Sequence, residues 1–332
     1  MTENMLSRAK VLVTGAGGFI GSHLCELCVS EGAQVRAFVH YNSRNDWGML
    51  ESLGRRKLRA IEVLTGDLRD AEAVRRAVRG CNFVFHLGAL IGIPYSYVNP
   101  GDVVATNVVG TLHILQAGLD AGVERIVQTS TSEVYGTAQY VPMDEAHPLN
   151  PQSPYAASKV GSDKLAESFF RTFSLPVTIL RPFNTYGPRQ SPRAVIPTII
   201  TQALRSNKIK LGSLAPRRDL TFVTDTARGF VAAATSASAI GATVQLGSNR
   251  EISIGELVDL IGTILGKRLR PVAEAGRRRP KASEVERLFA SNQRAKELLG
   301  WQPRVSLEHG LEKTIAWFGD RADHYKHDFY HI

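Results

Sequence analysis

A repeated alternation constrains this chain more than any other feature. Short runs rich in β-branched residues lie at Lys10–Thr14, Gln34–Val39, Ala60–Thr65, Phe83–His86, Arg125–Thr129 and Pro176–Arg181. Segments of helical character, among them Ile20–Ser30, Ala71–Arg79 and Val103–Ala121, separate them. Runs apolar along most of their length suit strands buried on both faces, and parallel strands need a long crossover between them, usually a helix. With a further strand expected at Thr243–Leu246, the pattern predicts an α/β fold of the Rossmann type, a doubly wound parallel sheet of about seven strands.

After Arg181 the alternation loosens at Pro182, Pro188, Pro192 and Pro197, and helices are expected at Val195–Ser206, Ile254–Leu265, Gln293–Leu299 and Leu307–Phe318. This second half predicts a smaller α/β lobe over the carboxyl edge of the sheet, where open α/β sheets bind ligands. The final residues, Asp320–Ile332, are rich in His and aromatics and are expected to pack or fray.

The 332 residues, 43% hydrophobic and 21% charged, are ordinary for a globular protein. No apolar run approaches the ~20 residues of a membrane helix, and the first residues lack the apolar core of a secretory signal. A cytoplasmic protein is expected. Three cysteines, Cys25, Cys28 and Cys81, do not make a disulfide framework. Cys25 and Cys28 form a CxxC on the first expected helix, but no second pair completes a zinc site, so buried thiols and no metal are expected. The net charge of +9 raises the question of nucleic acid. The basic residues are dispersed, the densest run being Arg277-Arg278-Arg279, and no nucleic-acid-binding signature accompanies them. A diphosphate substrate and a solvated surface account for the excess, with no nucleic-acid or membrane partner.

Gly15, Gly18 and Gly21 follow the first strand and open the first helix. Gly15 permits a tight turn, Gly18 lets backbone approach a pyrophosphate, and Gly21 allows close helix–strand packing with the helix N-terminus facing the anion. A dinucleotide-binding domain is therefore expected over 8–185 and 222–248, and a substrate lobe over 186–221 and 249–320. A carboxylate commonly ends the second strand and takes the ribose hydroxyls. Here the strand runs into His40-Tyr41-Asn42-Ser43-Arg44, with no acid before Asp46. Arg44 could instead meet a 2′-phosphate, so NAD and NADP both stay open. Asp67, before Leu68, suits an adenine-edge contact or a helix N-cap.

Ser153 and Pro154 make a good helix start, which puts Tyr155 and Lys159 four residues apart on one face. An ammonium beside a phenol favours the phenolate, so Tyr155 can act as base toward a substrate hydroxyl. Thr131 stands just past the fifth strand, where its hydroxyl can bond the same oxygen. Glu133, two residues on, reads as a carboxylate that exchanges protons with carbon, its pKa raised beside an apolar sugar face, or as a helix-start carboxylate serving the dipole. Ser132 is ambiguous.

These motifs resemble the extended short-chain dehydrogenase/reductase family over nearly the whole chain. The likeness is carried by the Gly turn, His86-Leu87-Gly88-Ala89, Thr106-Asn107, Ser130–Gly136, Tyr155 with Lys159, Arg181–Arg189 and Arg279-Pro280. Within the family the chain is most similar to nucleotide-sugar 4,6-dehydratases, above all the NAD-dependent ones acting on GDP-linked N-acetylglucosamine, through Phe38–Gly48, Ile93–Tyr97 and Ser191–Ile200.

The resemblance implies NAD held by Gly15, Gly18, Phe19, Ile20, Gly21, Arg44, Asp67, Leu68, Leu87, Ala89, Asn107, Tyr155 and Lys159. It implies a substrate diphosphate held by Asn184, Arg218 and Arg279, with Arg193 helping, and catalysis by Thr131, Ser132, Glu133, Tyr155 and Lys159. The implied cycle is oxidation at C4, proton removal at C5 by Glu133, loss of water from C6 and hydride return to C6. Many dehydratases of this kind carry Asp where this chain has Ser132, which leaves the proton donor at C6 open, with Glu133 as candidate. A homodimer through the Tyr155 helix and Val103–Ala121 is also implied. UDP-glucuronate decarboxylation and 4-epimerisation share the C4 oxidation and are the rival chemistries. A non-catalytic dinucleotide sensor would be free to lose Tyr155 or Lys159, and both stand here.

Overall fold

The computed structural model of the chain describes residues 5–277 and 279–321. Arg278 and the expected frayed end at 322–332 lie outside them. The first half alternates as β1 (Lys10–Thr14), α1 (Phe19–Ser30), β2 (Gln34–His40), α2 (Arg55–Leu58), β3 (Ile61–Gly66), α3 (Ala71–Val78), β4 (Phe83–His86), α4 (Ile93–Val98), α5 (Pro100–Val104), α6 (Gly110–Ala121), β5 (Arg125–Thr129), α7 (Pro154–Phe173) and β6 (Val177–Pro182). The second half runs β7 (Asn184–Tyr186), α8 (Val195–Ala203), β8 (Lys208–Leu211), β9 (Arg217–Phe222), α9 (Val223–Thr235), β10 (Thr243–Leu246), β11 (Glu251–Ser253), α10 (Ile254–Ile264), β12 (Arg270–Ala273), α11 (Gln293–Leu299) and α12 (Leu307–Gly319).

Seven strands form one sheet in the order β10-β6-β5-β4-β1-β2-β3, and every pairing in it is parallel. Because side chains alternate along a strand, Val11 and Val13 enter one core with Leu24 and Phe230, while Leu12 enters the other with Ile114 and Phe169. Both faces are thus covered, as a parallel sheet requires. The order of the strands reverses between β1 and β4, which opens a crevice at their carboxyl ends.

The smaller lobe has a three-stranded sheet, β11-β9-β7, and a two-stranded one, β12-β8. Its own core includes Ile199, Phe222, Leu257 and Phe318, and the first turn of α1 packs on it through Phe19 and Ile20. Cys25 and Cys28 are fully buried on α1. No group of three metal-ligating side chains occurs among the described residues, and none of their helices is long and apolar enough to cross a membrane.

The single helix expected at Val103–Ala121 is corrected to α5, a π turn at Ala105–Val109 and α6. In this wider turn the Asn107 carbonyl accepts from the hydroxyls of Thr111 at 2.6 Å and Ser162 at 2.7 Å. Two side-chain hydroxyls therefore take up a carbonyl in the widened turn. Helix α8 also stops at Ala203, short of the expected Ser206.

Asp219 secures the neighbour of a candidate site residue, Arg218. Fully buried, it accepts from the Ser248 amide (2.6 Å) and hydroxyl (2.7 Å) and from the amides of Asn249 and Ala290, both at 3.2 Å. Asp219→Ala orphans these donors and is expected to cost about 3 kcal/mol of unfolding free energy, measured by denaturant titration. A loss under about 1 kcal/mol would show that water replaces the carboxylate.

Candidate active site

The Gly turn is shaped by backbone crowding. Gly15 has φ +66°, and a Cβ there would stand 2.9 Å from the Gly88 Cα. A Cβ on Gly21 would lie 2.2 Å from the Gly15 carbonyl oxygen, and one on Gly18 3.1 Å from it. No side chain caps the N-terminus of α1, which leaves its amides to an anion. The tight turn and the uncapped amides of α1 fit a dinucleotide pyrophosphate.

His86 fastens this turn from below. Its Nδ1 is 2.8 Å from the Thr14 hydroxyl and its Nε2 3.1 Å from the Thr111 hydroxyl. Thr111 donates to the Asn107 carbonyl, so Nε2–H donates to Thr111 and Nδ1 accepts from Thr14. The Thr14 oxygen in turn accepts the Gly88 amide at 3.0 Å. Burial, then the nearby Lys159 charge, holds the imidazole down at about 3, so it is neutral.

At the end of β2, Arg44 is exposed and meets Asp46 at 3.8 Å. The following loop folds back on the Gly turn, with the Met49 amide donating to the Gly17 carbonyl at 2.8 Å. Asp67 receives a forked contact from Arg69, 2.6 Å at its shortest, and His40 lies 3.5 Å away. The Arg69 hydrogen bond is the main cause that lowers its carboxyl to about 2. Asp67 is not the N-cap considered for it: Asp70 accepts the Glu72 and Ala73 amides there. Leu68 is buried, and Leu87 and Ala89 are half-buried beyond β4. The Asn107 amide group is taken up by protein partners, the Leu90 amide (2.8 Å), the Leu90 carbonyl (3.0 Å) and the Ser158 hydroxyl (2.9 Å).

The catalytic candidates do meet. Ser153 caps α7 through the Ala156 amide, and Tyr155 and Lys159 are 8% and 4% exposed. Thr131 caps the short 3-10 turn Ser132–Tyr135 by accepting the Glu133 amide at 3.2 Å, and its side chain is near enough to act on the Tyr155 phenol. Glu133 is close enough for its charge to act on that phenol. Ser132 is buried beside it.

The phenolate expected from Lys159 is corrected for the ligand-free site. Burial is the largest effect on Tyr155 and, with the charges of Glu133 and Asp163, holds its phenol well above the usual range. Lys159 is itself drawn down to about 8 by burial, against the pull of Asp163. The Arg279 guanidinium stands 3.9 Å from the Glu133 carboxylate.

Arg279 lies equally far from Glu284, which also meets Arg218 at 3.4 Å. Arg279 Nη1 and Asn184 Oδ1 are buried without a hydrogen-bond partner. Arg193 is exposed, with Nη1 3.9 Å from where a Cβ on Gly92 would stand, so it faces the loop after β4. The strap that carries Arg279 is tied to the catalytic side by groups that sequence reading missed. The Ser283 hydroxyl donates to the Gln152 carbonyl at 2.6 Å and meets the Tyr97 hydroxyl at 2.6 Å, and Gln152 Nε2 donates to the Ala282 and Glu284 carbonyls. Also missed was Asp163, whose spacing of four from Lys159 was a legible signal.

Neutral His86 gives a signed pH dependence. Its pKa is about 3 in the fold against an ordinary 6.5, so its contribution is full above 6.5 and is lost as pH falls toward 3. His23, lowered to about 4 by burial, acts in the same direction. The unfolding midpoint should fall below pH 6.5, less steeply in His86→Asn; identical slopes would show that His86 does not titrate on unfolding.

A family model described as GDP-mannose 4,6 dehydratase matches residues 12–314. A UDP-glucose 4-epimerase of Mycolicibacterium smegmatis is 34% identical over 94% of this chain and 99% of its own length. A dTDP-glucose 4,6-dehydratase of Actinoplanes sp. is 31% identical over 93% and 97%. Among solved structures, the dTDP-glucose 4,6-dehydratase DesIV of Streptomyces venezuelae, with NAD bound, superposes with a TM-score of 0.82 at 31% identity over 96% and 99%. The chain belongs to the extended short-chain dehydrogenase/reductase family of nucleotide-sugar epimerases and dehydratases.

Proposed function

We propose that this chain is an NAD-dependent nucleotide-sugar 4,6-dehydratase, which forms a 4-keto-6-deoxyhexose. The observation that carries the reading is Glu133, a buried carboxylate in the same pocket as Tyr155 and Thr131. A 4-epimerase needs no carboxylate there, whereas water elimination needs a base at C5. The NAD assignment rests on the Gly cradle and on the NAD held by the related DesIV. Gly15, Gly18 and Gly21 would line the pyrophosphate, with Phe19, Ile20, Leu68, Leu87 and Ala89 around the dinucleotide.

Bound NAD supplies a hydride acceptor at C4 and a donor at C6. Tyr155 takes the proton of the C4 hydroxyl, and Thr131, close to that phenol, holds the same oxygen. Lys159, buried beside them, stabilises the phenolate as it forms. Once C4 is a ketone the C5 hydrogen is acidic, and Glu133 removes it. The same carboxyl, now protonated, gives its proton to the departing C6 hydroxyl, the step for which Ser132 offers no acid. Arg218 and Arg279 grip the diphosphate with planar forks, Arg279 Nη1 having ion-pair neighbours but no hydrogen bond to give up, and Asn184 and Arg193 border the same cleft.

One observation favours a second reading. Arg279 beside Glu133 is a cation near the sugar's reacting end, the group that a C6 carboxylate would need, so decarboxylation of a hexuronate is the alternative. Val104 and Val109, 46% and 40% accessible in α5 and the π turn, support a homodimer formed through Val103–Ala121 and α7.

The test is a panel of GDP-, UDP-, dTDP- and CDP-hexoses, headed by GDP-N-acetylglucosamine, with products read by mass spectrometry. Loss of one water is expected; loss of carbon dioxide or an unchanged mass would overturn the dehydratase. Glu133→Gln should lower water loss by about 100-fold or more while C4 oxidation, read as reduced-cofactor absorbance, persists.

A further inference from the structure

Tyr155, Lys159 and Asp163 recur every four residues on α7, which places them on one stripe of the helix with ~5–6 Å between successive Cβ atoms. The third member has no part in the chemistry above, yet it is fully buried and ties together every segment that carries a catalytic group. Its Oδ2 accepts from the Ser130 hydroxyl at 2.7 Å, at the end of β5 just before Thr131, and from Arg181 on β6 at 2.9 and 3.2 Å. Its Oδ1 is buried with no hydrogen-bond partner. Arg181 continues the network, donating to the Tyr135 hydroxyl at 2.9 Å, which donates to Gln245 Oε1 at 3.1 Å.

The charges explain why an acid stands here. Two cations, Lys159 and Arg181, are 4% and 2% exposed. Isolated buried cations are costly and an ammonium would shed its proton. His86, facing Lys159 from β4, is neutral and its charged form would only repel. Tyr155 is protonated in the ligand-free chain. Asp163 is the acid that acts on both cations. Burial raises the Asp163 carboxyl, while Arg181, Ser130 and Lys159 favour its charged form; Arg181 and Ser130 occupy one of its oxygens, and the other has no hydrogen-bond partner.

We propose that Asp163 is a positioning residue: its carboxylate, one helical turn from the buried Lys159, offsets the cost of burying that ammonium, while its bonded oxygen aligns α7 with the ends of β5 and β6. The proposal rests on reading Lys159 as the catalytic partner of Tyr155, and it holds alike for dehydration, decarboxylation or epimerisation.

Isotope-labelled lysine NMR of the intact ligand-free chain follows the Lys159 titration, assigned by its absence in Lys159→Met. In Asp163→Asn, which keeps the shape of the side chain, the Lys159 midpoint should fall by about one pH unit or more, and Asp163→Glu should restore part of it. Coupling is reciprocal, so labelled-aspartate NMR should find the Asp163 carboxyl midpoint raised in Lys159→Met; this arm decides alone if Asp163→Asn does not fold. An unmoved midpoint in either arm overturns the proposal. Both titrations are made without substrate, so a panel that yields no water-loss product would refute the dehydratase and leave this result standing.

Discussion

Everything in the cofactor half depends on three stretches of backbone meeting where no side chain intrudes. The Gly15 turn, the first turn of α1 at Gly21 and the end of β4 at Gly88 come so close that a Cβ at Gly15 or Gly21 would overlap backbone atoms. Such contacts persist only if the elements are held in register. Thr14 and His86, each the last residue of its strand and paired in the sheet, supply the lock. A neutral imidazole suits it better than a charged one, because Nδ1 must accept a proton from Thr14 while Nε2 gives one to Thr111. The burial that keeps His86 neutral thus also fixes which way each hydrogen bond runs.

The site one strand over is built from charge. Lys159, Arg181 and Arg218 are cations with little access to water, and each faces an acid: Asp163 for the first two, Glu284 for the third. Buried ion pairs of this kind are weak evidence for stability, so their retention at the head of the crevice points to function. Glu133 belongs to the same set. Its neighbour is the Arg279 guanidinium, 3.9 Å away.

Local signals in the sequence carried most of the sheet. The seven strands of the main sheet were legible from β-branched runs, and the helix starts at Ser153 and Gly18 from capping and turn chemistry. Tyr155, Lys159, Thr131 and Glu133 were legible because a strand end and a helix start place them together. The π turn was not: it arises because Thr111 and Ser162 reach the Asn107 carbonyl, and Ser162 comes from another helix. The fate of Asp67 turned on Arg69 and His40, and that of Glu133 on Arg279, a residue 146 positions away. Pairings of that kind are fixed by the way the second lobe lies on the first, and no periodicity records them.

That limit explains why relatives of nearly equal identity divide between epimerases and dehydratases. In the proposed mechanism oxidation at C4 uses groups from the turn after β5 and from α7, which leave a strong local signature. On the same mechanism the course beyond the ketone depends on the balance between Glu133 and the cations of the strap, which Gln152 and Tyr97 hold through its own Ala282, Ser283 and Glu284. In the proposed mechanism a carboxylate free of Arg279 would serve as the base at C5, and one paired with it would leave the ketone to be reduced again. The strap sets the distance between Arg279 and Glu133, so on that mechanism it is the element on which the product turns.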